Sequence, residues 1–89
     1  MKINKPNPGV LSAAMYEVVD NQLRDGEPPE TRQTYERLLA EGRSPVEARR
    51  LLAAVVSSEV FEVLKHKRPY DRAGYVAALN RLPKLPWEK

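Results

Sequence analysis

Apolar positions recur along the chain at helical spacing and are cut into four segments by proline and glycine. In the first, Leu11, Met15, Val18, Val19 and Leu23 share one face, and Glu17, Asp20, Asn21 and Arg24 take the other. Asn7-Pro8 predicts its start as a cap followed by proline at the first helical position, and Gly26 offers a left-handed stop. Pro28-Pro29 opens a second helix with the stripe Thr31, Tyr35, Leu38, Leu39. Arg32/Glu36 and Arg37/Glu41 lie at (i, i+4), and Gly42 closes the segment. Ser44-Pro45-Val46-Glu47 predicts a reciprocal capping box for a third helix running to about His66. There Lys65, His66, Lys67 and Arg68 suit the carbonyl end of the helix dipole, and Pro69 forbids continuation. Asp71 caps a short fourth helix carrying Tyr75, Val76, Leu79 and Leu82, with Tyr70 and Tyr75 placed as a hydrophobic staple. The last segment, Leu82-Pro83-Lys84-Leu85-Pro86-Trp87, cannot be helical through its prolines. It predicts an extended tail that lays Leu85 and Trp87 on the body.

No stretch alternates with period two, so the fold class is all-α. The pattern predicts a compact bundle of three main helices and one short helix, with a tail over 83–89 and an N-terminal arm over 1–6. The third helix differs in kind from its neighbours. From Val46 to Leu64, twelve of nineteen residues are apolar, and Leu51 to Val56 cover its whole circumference. A helix apolar all round must be buried all round, so it is the central helix. The single stripes of helices one and two and the short fourth helix cover only part of it. The remaining side, read as Val56, Val60 and Val63, predicts a homodimer that uses the same patch twice. The competing expectation is that the Leu85/Trp87 tail seals that side within one chain.

Length supports a single domain over 1–89, with a thin core for which self-association is a natural aid. There is no cysteine and one histidine, which excludes disulfides, thiolate metal sites and imidazole clusters. The N-terminus lacks the apolar core of a secretion signal, and the longest apolar run, Leu51 to Val56, is far too short to span a membrane. Both features lead to the expectation of a cytoplasmic protein. The net charge of +3 is unevenly distributed: residues 10–64 carry six arginines against ten acids, whereas residues 65–89 carry seven bases against two acids.

The run Asn7-Pro8, Met15-Tyr16-Glu17-Val18-Val19-Asp20-Asn21-Gln22-Leu23, Pro28-Pro29, Arg32, Tyr35-Glu36-Arg37-Leu38 and Ser44 through Glu47-Ala48 resembles a family of small bacterial helical proteins of unestablished activity. The resemblance covers about residues 7–64 and implies a helical fold more than a function. Members of that family carry two histidines four apart on the first helix and two more on the third, a spacing able to converge on a metal. The matching positions here are Ser12, Tyr16, Val46 and Arg50, none of them histidine. The resemblance therefore implies that any such metal site is lost in this chain.

Chemistry-bearing motifs are few. Nucleotide-binding glycine loops and the GxSxG elbow are missing, and Ser57-Ser58 have no histidine nearby in sequence. His66 with Glu59 and Glu62 makes a poor ligand set, and Glu62/His66 suits a surface ion pair better. No enzyme, metal or cofactor is expected. Gln22 falls toward the apolar face and needs hydrogen-bond partners, for which the loop Gly26 to Pro29 is the nearest source. Lys65, Lys67, Arg68 and Arg72, with Tyr70 among them, form a basic joint able to grip phosphate and stack a base. The tail could also dock on another protein in a proline-helix conformation. These features predict a non-catalytic, self-associating interaction module, with electrostatic nucleic-acid binding through residues 65–72 as the alternative.

Overall fold

A computed structural model describes residues 13–88. The predicted arm over 1–6, the Asn7-Pro8 cap, Leu11 and Ser12 lie outside the described residues. Four helices follow in order: α1 (Ala13–Asp25), α2 (Pro29–Ala40), α3 (Pro45–His66) and α4 (Arg72–Arg81). The architecture is all-α, with three longer helices and one shorter.

The helix ends sit where the local chemistry sets them. Gly26 and Gly42 adopt positive φ and terminate α1 and α2. Ser44 Oγ accepts from the Glu47 amide at 3.1 Å, and Asp71 Oδ1 accepts from the Gly74 amide at 3.1 Å. Only half of the expected capping box at Ser44 forms, because the Glu47 carboxylate pairs with Arg43 at 3.2 Å. The staple forms, with the Tyr70 and Tyr75 rings edge-on at 5.8 Å between centroids. Of the two expected (i, i+4) pairs on α2, Arg37–Glu41 closes at 3.0 Å. Arg32 donates instead to the Leu23 carbonyl, tying α2 to α1.

α3 packs against each of the other three helices. Its residues Ala48 and Leu51 to Val56 are buried, and with Val19, Leu38, Tyr75, Leu79 and Leu82 they form the core. Their burial is the main drive to fold, at about 25 cal/mol per Å² of apolar surface removed from water. Val56, placed by sequence on the open side, is 5% exposed and belongs to this core. A 100° wheel gives directions around α3 but not where its neighbours end, and the bundle reaches far enough to cover this position. Beyond Val56 the burial stops: no residue of α3 from Ser57 to His66 is buried.

The tail is non-helical, as its prolines dictate, but it bends through two turns instead of running straight. The Lys84 amide bonds to the Arg81 carbonyl and the Glu88 amide to the Leu85 carbonyl. Leu82 is buried and Leu85 packs on the core. Pro86 borders a cleft with Val55, Ser58, Ala78 and Arg81, so the tail lies beside the junction of α3 and α4.

Of the titrating groups that tie stability to pH, Tyr75 is the most buried and Asp20 joins two helices. Burial raises the Tyr75 phenol above its ordinary value near 10. Its neutral form therefore stabilises the fold below that value, and the contribution is lost as pH rises past it. The Arg49 hydrogen bonds hold the Asp20 carboxyl below its ordinary 3.8, a contribution present above that value and lost as pH falls through it. Thermal midpoints should be level through the neutral range and fall on both sides. With Tyr75→Phe the alkaline fall should weaken, and an unchanged alkaline limb would contradict this assignment.

Candidate self-association surface

The C-terminal half of α3 extends past the core while remaining apolar. Val60 is 38% exposed and Leu64 is 68% exposed, with Phe61 and Val63 half-buried between them. Of the residues predicted for self-association, Val60 and part of Val63 are accessible, whereas Val56 is 5% exposed and reaches the surface only as a wall of the groove beside Val60. The structure adds Leu64, one helical turn beyond Val60, which sequence reasoning left out although the (i, i+4) spacing was legible.

Beside Val60 lies a groove of about 220 Å³ between α1, α3 and the α3–α4 turn. Val18, Val56, Val60 and Tyr70 supply apolar wall, and Gln22 and Glu59 supply polar atoms. Val18 is 39% exposed because its neighbour Val19 takes the core position, so the predicted α1 stripe is narrower than the sequence suggests. Gln22 does not bond to the Gly26–Pro29 loop. Its Oε1 accepts from Thr31 Oγ1 at 2.7 Å and from the Tyr75 hydroxyl at 2.9 Å, joining α1, α2 and α4 under the groove floor. The loop lies nearer in sequence, but the partners are two hydroxyls, one of them 53 positions away.

α1 is held beside α3 by a contact that sequence reasoning also missed. Arg49 donates to both Asp20 carboxylate oxygens at 2.8 Å, and its guanidinium lies over the Tyr16 ring at 4.6 Å. This clamp fixes the α1 wall of the groove. Among the described residues, no group of three or more His, Asp or Glu side chains is placed to hold a metal.

The four bases of the predicted nucleic-acid joint surround the α3–α4 turn but are not equivalent. Arg68 pairs with Glu59 at 3.5 Å, and Arg72 pairs with Glu30 at 3.1 Å. Glu59 also accepts from the Asp71 amide at 3.1 Å, so this carboxylate organises the turn. Lys65 lies over the Phe61 ring at 5.5 Å, and Lys67 is the exposed left-handed residue that ends α3. His66 pairs with Glu62 at 3.2 Å, the surface pair expected from their spacing. Two of the four bases thus already face carboxylates.

No helix among the described residues is long and apolar enough to cross a membrane. No family model, no curated protein and no solved structure matches the chain.

Proposed function

We propose that the chain is a non-catalytic, cytoplasmic interaction module that pairs with a second copy of itself through the free half of α3 and the adjoining groove. One observation carries this reading: Val60, Phe61, Val63 and Leu64 continue the apolar character of the central helix where no residue of that helix is buried. Apolar surface in water is unfavourable in proportion to its area, and pairing removes it. A core as thin as this one also gains stability by mass action from any partner that binds only the folded state. The nucleic-acid alternative is the weaker reading, because Arg68 and Arg72 are engaged by Glu59 and Glu30. With Lys65 and Lys67 alone, its affinity would fall with salt with a logarithmic slope of only about −2.

Light scattering on a sizing column tests the pairing. The single-chain mass is 10.1 kDa, and the expected result is a weight-average mass that rises toward twice that between micromolar and millimolar concentration. A mass of one chain at every concentration would overturn the proposal.

A further inference from the structure

We infer that the two copies engage reciprocally, with Leu64 of each seated in the other's groove between Val18, Val60 and Tyr70. This inference rests on the self-association reading and specifies its geometry. An isologous interface needs a projection and a matching recess on one face of the same chain. Leu64, the most exposed residue of the free half of α3 among its apolar side chains, is the projection. The groove of about 220 Å³ is the recess, and Val60, one turn before Leu64, lines its edge. Because projection and recess adjoin, a two-fold axis lying in the interface between them brings both into register at once.

The charges around the two features are opposite. Lys65 and the exposed Lys67 flank Leu64 on the projection. The exposed Glu17 stands beside Val18 on α1 and supplies the acidic rim, whereas Glu59 in the recess is already taken by Arg68 and the Asp71 amide. Reciprocal docking brings the basic rim of each copy to the acidic rim of the other, which favours this register over one that stacks like charges. The bases that suggested nucleic acid then serve to orient the second copy. Gln22 suits the recess as well: its carboxamide oxygen is taken by Thr31 and Tyr75, which fixes the groove floor before a partner arrives.

The absence of cysteine gives a clean background for disulfide trapping. Val18→Cys and Leu64→Cys change side chains that are 39% and 68% exposed, so both variants should fold, as circular dichroism will verify. Mixed under mild oxidation, they should form the V18C–L64C heterodisulfide well in excess of either homodisulfide. In the full chain, Leu64→Glu should weaken dimerisation by about tenfold or more, since it buries an unpaired charge in an apolar recess. Lys65→Glu with Lys67→Glu should also weaken dimerisation, and adding Glu17→Lys should partly restore it. If light scattering shows a dimer but homodisulfides dominate or Leu64→Glu has no effect, this geometry is overturned and the self-association reading stands. If the wild-type chain stays monomeric, both are overturned.

Discussion

Leu52→Ala will destabilise the protein by about 3 kcal/mol and lower its melting temperature by more than about 10 °C. Leu52 is fully buried in the central helix. Truncation there removes apolar surface from the core and leaves a cavity that close-packed neighbours fill only in part. A single domain of this size has a total stability on the order of 4–13 kcal/mol, so the loss is a large share of it. Leu64→Ala, on the same helix and with the same change in volume, should cost dilute monomer less than about 0.5 kcal/mol, because its side chain is mainly in water. Urea unfolding of both variants at micromolar concentration measures the contrast. Equal losses would mean that α3 is covered along its whole length within one chain.

The second large effect is expected at Gln22. Gln22→Leu removes the acceptor of two hydroxyls, Thr31 Oγ1 and Tyr75 OH, of which Thr31 is fully buried and Tyr75 is 3% exposed. Leaving them without an acceptor should cost roughly 2–3 kcal/mol. Tyr75→Phe removes one donor and leaves Gln22 bonded to Thr31, so its cost should be nearer 1 kcal/mol. The two changes should not add: in the Gln22→Leu background, Tyr75→Phe should cost little or restore stability, because it removes an orphaned hydroxyl. Additive losses in a double-mutant cycle would show that the two side chains do not share this network.

Much of the fold was legible in local chemistry. Caps and stops are short-range, so Gly26 and Gly42 place the ends of α1 and α2 and Ser44 and Asp71 the starts of α3 and α4 from the sequence alone, and the run Leu51 to Val56 identifies the central helix. What the sequence could not supply was long-range. The Asp20–Arg49 clamp, the Gln22–Tyr75 bond and the Glu30–Arg72 pair join residues 29, 53 and 42 positions apart, and no periodicity encodes them. Competition between partners explains further departures. Glu47 turns to Arg43 instead of the Ser44 amide, and Arg32 turns to the Leu23 carbonyl instead of Glu36. The candidate surface was half legible. That α3 has more apolar residues than its neighbours can cover follows from the sequence. Where the cover ends, after Val56 and before Val60, is a matter of how the bundle packs.

Amide hydrogen exchange across α3, followed at two protein concentrations, tests the central claim most directly. Residues 51–56 lie in the core and should exchange slowly at both concentrations. Residues 60–66 should exchange faster in dilute solution and become protected at high concentration, together with the α1 segment around Val18. Protection that does not change with concentration, or that appears instead on a surface away from Val18, Val60 and Leu64, would contradict the account.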